Sequence, residues 1–165
     1  MAKITSLILV ALFGATLTFA KPLPHFGTGN RDAFINSTFT PALFMQALVA
    51  DSIQHPEIVF SQALVESGYF KSKLFRLGHN CMGMHRAEKR QTTAIGLCLK
   101  HARYRTWVDQ VRDIKLWQDY FLKGKQLTQA QYLNKLRKYA ADPNYLVKVR
   151  KHLAESTAVL REGCL

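Results

Sequence analysis

The stretch Ala63-Leu64-Val65-Glu66-Ser67-Gly68-Tyr69-Phe70 decides how the rest of the chain is read. It sets a carboxylate at the end of an apolar segment and follows it at once with a break. Pro56 to Val65 reads as a helix, with Ile58, Leu64 and Val65 among its apolar residues, and Ser67-Gly68 supplies the stop signal. Glu66 then falls in the last turn, beside carbonyls that no intrahelical donor reaches. The negative end of the helix dipole disfavours a charged carboxylate there. Partial burial among Leu64, Tyr69 and Phe70 pushes the same way, toward a raised pKa. A carboxyl group still protonated near neutral pH can hand its proton to a leaving oxygen. Position alone favours the plainer reading, a solvated helix-end Glu, and the surrounding sequence has to overturn it.

Working upstream, His55-Pro56 opens that helix, and Thr40-Pro41 opens the one before it, a capping hydroxyl followed by Pro at the first helical position. Leu43, Phe44, Ala47 and Leu48 form the apolar face of this earlier helix. Residues 21–38, rich in Pro, Gly and Asn, read as an exposed leader, with a weak glycosylation sequon at Asn36-Ser37-Thr38. Residues 1–20 carry Lys3, an apolar run from Ile4 to Phe19, and the small Ala20 before Lys21-Pro22. That is the pattern of a secretory signal peptide; an uncleaved membrane anchor is the alternative.

Downstream, Lys71 to Asn80 reads as a basic, irregular connection. Residues 82–86 and 102–106 read as strands of a small sheet, and the segment between them has room for another. From Val108 the period becomes helical: Val108, Val111, Ile114, Trp117 and Phe121 share one face, while Asp109, Arg112, Asp113 and Lys115 lie off it. Lys123-Gly124-Lys125 ends that helix, and Thr128 caps the next, in which Ala130, Leu133, Leu136 and Tyr139 recur. Asp142-Pro143 starts a last long helix with Leu146, Val149, Leu153 and Leu160 on its buried face. The sum is five or six helices with a small β excursion after the second.

The 165 residues suffice for one domain with a core, and 48% of them are hydrophobic. The 23 Lys and Arg against 11 Asp and Glu give a net charge of +12, a surface that seeks polyanions. Export turns that charge away from nucleic acid, for which the sequence holds no reader motif, and toward anionic cell-envelope polymers. Cys81, Cys98 and Cys164 all follow the signal, in a compartment that permits disulfides. Cys81 and Cys98 flank the expected hairpin and are the preferred pair, a bridge stabilising by about 3 kcal/mol; three buried thiols are the alternative. No Cys or His spacing fits a metal site.

Four motifs stand in order: Glu66-Ser67-Gly68-Tyr69; Asn80-Cys81-Met82-Gly83-Met84-His85; Tyr104-Arg105-Thr106-Trp107 with Val111-Arg112-Asp113; and Tyr139-Ala140-Ala141-Asp142-Pro143-Asn144-Tyr145. Together they resemble the bacterial glucosaminidase domain of glycoside hydrolase family 73, found in the flagellar peptidoglycan hydrolase and several autolysins. The resemblance runs from about Thr40 to Glu155, and residues 39–165 are taken as that domain. It implies an α+β, mostly α, lysozyme-like fold in which a helical lobe and a small β-hairpin lobe flank a cleft. It implies hydrolysis of the β-1,4 bond after N-acetylglucosamine in peptidoglycan, with Glu66 as general acid and no cofactor. Tyr139 resembles the family's cleft tyrosine, and Ser67, Tyr69, Met84, His85 and Tyr104 are expected beside the substrate. Cys81-Met82 replaces the usual Leu-Phe, and His85 stands where Lys or Arg is common. Glycoside hydrolysis usually takes a second carboxylate. Glu88, the one acid between Glu66 and Trp107, is the candidate; a solvated loop Glu is its plainer reading. Should Glu88 lie far from the cleft, the acetamido group of the substrate would take its place. The expected partners are peptidoglycan glycan strands and anionic envelope polymers, met by a monomer in the periplasm, the envelope or the medium. A non-catalytic wall-binding protein on the same fold, and a lytic transglycosylase, are the competing readings.

Overall fold

The computed structural model describes Phe34 and residues 36–162. The expected signal peptide, most of the leader and Cys164 lie outside the described residues. Helix α1 runs Pro41–Ala50, α2 Pro56–Ser67 and α3 Lys73–Gly78; strands β1 (Gly96–Cys98) and β2 (His101–Arg103) follow, then α4 Trp107–Leu122, α5 Gln129–Lys135 and α6 Tyr145–Glu162. A 3-10 turn, Leu136–Lys138, extends α5. The protein is thus mostly helical with one small antiparallel hairpin. Among the described residues no helix is long and apolar enough to cross a membrane.

The starts of these helices are written locally. Thr40, Ser72, Thr106 and Thr128 each accept a backbone N–H from the first turn through their hydroxyls. Helix α2 is buried on nearly every side, through Ile58, Val59, Phe60, Ser61, Gln62, Ala63 and Leu64, because α1 and α6 both pack on it. Ser61 and Ser156 share a 2.7 Å hydrogen bond across the α2–α6 seam, where two small residues let the helices close up.

Three sequence readings change. The basic connection 71–80 contains α3, capped by Ser72 and terminated at the left-handed His79. The strand expected at 82–86 is a loop, and the hairpin lies at 96–103, with Gly96 opposite Arg103 and Cys98 opposite His101. Asn80 explains the loop. Its side chain accepts from the N–H groups of Met82 and Met84 and donates to the carbonyls of Met84 and Ala102. These bonds replace most of a strand ladder, and Gly83 at φ +63° breaks the extended path. One ladder-like bond survives, from the Ala102 N–H to the Met84 carbonyl at 2.9 Å. Third, the end of the expected exposed leader is packed: Phe34 is buried edge-on against Trp107, and the Ser37 carbonyl accepts from the Trp107 indole at 3.2 Å.

Candidate active site

Helix α2 ends as its sequence demands, yet in an unusual way. Gly68, Tyr69 and Phe70 have φ values of 54°, 59° and 61°, three left-handed residues in a row. Only glycine takes this region freely; each of the others costs about 1–2 kcal/mol. Two local devices offset the cost. The Ser67 hydroxyl donates to the Ala63 carbonyl and accepts from the Phe70 N–H, pinning the turn. The Phe70 ring then drops among Phe39, Phe44, Phe60 and Phe75, at centroid distances of 4.9 to 5.8 Å. Aromatic pairs contribute about 0.5–1.5 kcal/mol each beyond burial, enough to hold the strained turn. The chain therefore leaves the helix sharply, and Glu66 stays at the wall of an open groove.

That groove has a volume of about 970 Å³. Glu66 lies on one wall, the 82–87 loop on another, and Trp117, Phe121 and the 134–140 segment complete it. Burial pushes the Glu66 carboxyl above the ordinary carboxylate range; a hydrogen bond from Tyr145 and the nearby His101 pull it back only in part. Tyr145 is buried under α2, and its hydroxyl accepts from the Gln62 amide at 3.0 Å while it serves Glu66. Gln62 precedes Glu66 by one helical turn, so the same face of α2 carries the acid and the group that steadies its partner. Gly83 comes so close that a Cβ there would stand 3.4 Å from Glu66 Oε2. A Cβ there would make ordinary contact with the acid, so it is the φ of +63° that reserves the position for glycine.

Tyr139 lines the groove, donates to the Met82 carbonyl at 3.1 Å and stacks on Tyr145 at 5.7 Å. It thereby ties the 134–140 wall to the loop that faces Glu66. Burial first, and then the neighbouring Glu66, raise its hydroxyl pKa, so it stays a neutral donor. Met84 and His85 also line the groove, and His85 stacks on His101 of the hairpin at 4.6 Å.

The other expected site residues are elsewhere. Ser67 is turned inward as the fastener of the α2 turn. Tyr69 is 49% exposed on the far side of that turn and pairs with His152. Tyr104 is in the core, its hydroxyl donating to Asp113 at 2.8 Å. Glu88 is exposed on the loop and is not part of the groove lining. Among the described residues Glu66 is therefore the only acid in that lining, which it shares with Arg86, Arg90, Lys135, Arg137 and Lys138. Cys81 and Cys98 are separate free thiols. Cys81 sits in the core with its N–H on Gln110, and burial raises its pKa; Cys98 packs on Gly78, where a Cβ would meet its own at 2.9 Å. Among the described residues no group of three His, Cys, Asp or Glu side chains could hold a metal ion.

A second buried cluster fixes the loop. Asp113 takes both guanidinium nitrogens of Arg90, at 2.8 and 3.0 Å, together with the Tyr104 hydroxyl. Burial acts to raise its pKa, but hydrogen bonds from Arg90, Tyr104 and Thr92 outweigh it, and the carboxyl is held below the usual range. The helical period places Asp113 on the polar side of α4, yet it is 0% exposed. Tyr145, Gly83, His101 and Trp117 belong to the site, and the motifs alone do not place them there. The Tyr139–Tyr145 spacing of six, across an Asp-Pro turn, is the available clue.

A mostly helical domain with a long groove, one acid held up by burial and flanking tyrosines has the makings of a glycoside hydrolase. The family model described as mannosyl-glycoprotein endo-beta-N-acetylglucosaminidase, the glucosaminidase domain, matches residues 42–157, and the chain belongs to that family. A glycan of the cell-wall type is the substrate class that goes with it. Comparison with curated proteins and with solved structures found no match.

Proposed function

We propose that the protein is an exported peptidoglycan hydrolase of lysozyme-like architecture that cleaves the β-1,4 bond after N-acetylglucosamine. The observation that carries this reading is the half-buried Glu66, its pKa raised, as the only acid among the described residues that line a groove otherwise rich in Lys and Arg. Glu66 gives its proton to the glycosidic oxygen as the C1–O bond breaks. With no second carboxylate among the described residues of the lining, the carbonyl oxygen of the substrate's own acetamido group closes on C1 and forms a cyclic oxazolinium. A water then attacks C1, reopens the ring and returns its proton to the Glu66 carboxylate. Tyr145 favours the ionised carboxylate that remains once the proton has left, and Tyr139 holds the loop across from it. The excess of cations draws the anionic wall to the groove.

The single acid also fits a lytic transglycosylase, and one product analysis separates the readings. Purified peptidoglycan incubated with the protein should release chains ending in reducing N-acetylglucosamine, and Glu66→Gln should abolish the release. Anhydromuramyl ends in the muropeptide mass spectrum would assign the transglycosylase instead. Retention on insoluble peptidoglycan with no product at all would assign a wall-binding protein.

A further inference from the structure

Helix α4 carries two aromatic rings that its apolar period assigns to the core, and the fold puts them in the groove. Val108, Val111 and Ile114 are buried, but Trp117 is only half-buried and Phe121 is 41% exposed, and both line the cleft. One turn apart, they stack nearly parallel, 4.9 Å between centroids with 12° between planes. The Lys135 ammonium stands over the Phe121 ring at 5.3 Å. Trp117 in turn meets Tyr139 edge-on at 5.8 Å, and Tyr139 stacks on Tyr145, which bonds Glu66. An unbroken run of rings therefore leads from the acid to Phe121, each step comparable to the width of a sugar ring. Phe121 thus stands three ring-to-ring steps from Tyr145, the ring beside Glu66.

We propose that Trp117, Phe121 and Lys135 form an outer sugar subsite of this cleft, one that takes a pyranose carrying a carboxylate. Flat, exposed aromatic faces in a groove suit the apolar C–H face of a pyranose. The Lys135 contact does not block it: an exposed cation–π pair contributes only about 0.5–1 kcal/mol, and the flexible stem lets the ammonium move to a nearby acid group. The acid group is argued from charge. Among the described residues Arg86, Lys135, Arg137 and Lys138 have no ion-pair partner, and all four line the groove, whereas Arg90 is committed to Asp113. A neutral glycan would leave those cations facing one another, and a chain with regularly spaced carboxylates relieves that repulsion. The inference rests on reading the groove as a glycan site, and it adds which sugar sits where.

The test uses the full chain with Glu66→Gln, so that ligands are not consumed. The probes are neutral β-1,4 N-acetylglucosamine oligomers, as a disaccharide and as a longer chain, and peptide-free glycan strands from peptidoglycan. Phe121→Ala should weaken binding of the longer chains about tenfold while costing the disaccharide much less, and Phe121→Trp should restore it. Lys135→Ala should weaken the carboxylate-bearing strand and flatten its salt dependence, with a smaller effect on the neutral chain. Trp117 should report occupancy by a shift in emission, since Trp107, the only other Trp, is buried. Equal losses for short and long chains in Phe121→Ala, or no loss for the long one, would overturn the subsite. Equal losses for neutral and acidic chains in Lys135→Ala would overturn its preference for a carboxylate. If the wild-type protein cleaves neither chain but the length-dependent binding and emission shift persist, the hydrolase reading fails and the subsite stands. If it cleaves both without length-dependent binding, the subsite fails and the hydrolase reading stands.

Discussion

Two carboxylates border the 82–95 loop, the half-buried Glu66 and the fully buried Asp113, each with a tyrosine hydroxyl as neighbour, and they are driven in opposite directions. At the groove, Glu66 has Tyr145 and no guanidinium, so burial wins and its pKa rises. Behind the loop, Asp113 has Tyr104 and also both nitrogens of Arg90, so hydrogen bonding wins and its pKa falls. A neutral hydroxyl only softens the cost of burying a carboxylate; a bidentate cation reverses it. The first arrangement favours the protonated carboxyl. The second makes a strut that clamps Arg90, and with it the loop, onto α4.

The largest effect should come from replacing Glu66, the carboxyl whose pKa is raised. Glu66→Gln is expected to lower hydrolysis by roughly 10²–10⁴-fold or more while the far-ultraviolet dichroism stays native. Its stability should also move in a defined direction. A carboxyl whose folded pKa is raised stabilises the fold below its unfolded value and loses that stabilisation as pH rises through the folded one. Glu66→Gln should therefore melt higher than the wild type at neutral pH, and the gap should close in acid.

The opposite substitution comes next. Asp113→Asn leaves Arg90 buried without its counter-charge and should cost about 3–5 kcal/mol in urea unfolding. Asp113 stabilises above the ordinary carboxylate range, and that contribution is lost as pH falls through its lowered folded pKa. The Asn variant should accordingly lose less on acidification than the wild type does, which a pair of acid melts would measure. Tyr145→Phe sharpens the contrast more gently. It removes a bond that lowers the Glu66 pKa, so the alkaline limb of the rate profile should shift to higher pH. A limb that moves to lower pH would mean Tyr145 acts on the protonated form instead. Last, because Cys81 and Cys98 are free thiols, added reductant should leave the melting temperature unchanged; a drop of several degrees would show a bridge.

Much of the helical frame is legible in the sequence because its signals are local. Thr40-Pro41, His55-Pro56, Thr128 and Lys123-Gly124 mark boundaries by their own capping and backbone chemistry, and the helices begin or end there. Alternation misplaces the hairpin because Asn80 satisfies the backbone of residues 82–84 with a side chain, which no period reports. Tyr104, expected beside the substrate from the family resemblance, and Trp117, assigned to the core by its spacing, find other surroundings for a related reason. Periodicity says which residues share a face, but which of two neighbouring layers covers that face depends on the whole packing.

By itself the sequence determined that Glu66 closes an apolar helix, that a strand-poor, helix-rich chain follows it, and that the surface is cationic. It also held the family motifs that identify a glucosaminidase domain. Only the tertiary structure decided which partner each carboxylate received. Tyr145 is 79 residues from Glu66 and Arg90 is 23 from Asp113, and no local rule reaches across such gaps. Capping and periodicity act over a few residues, whereas a pKa is set by whatever the folded chain brings within a few ångströms.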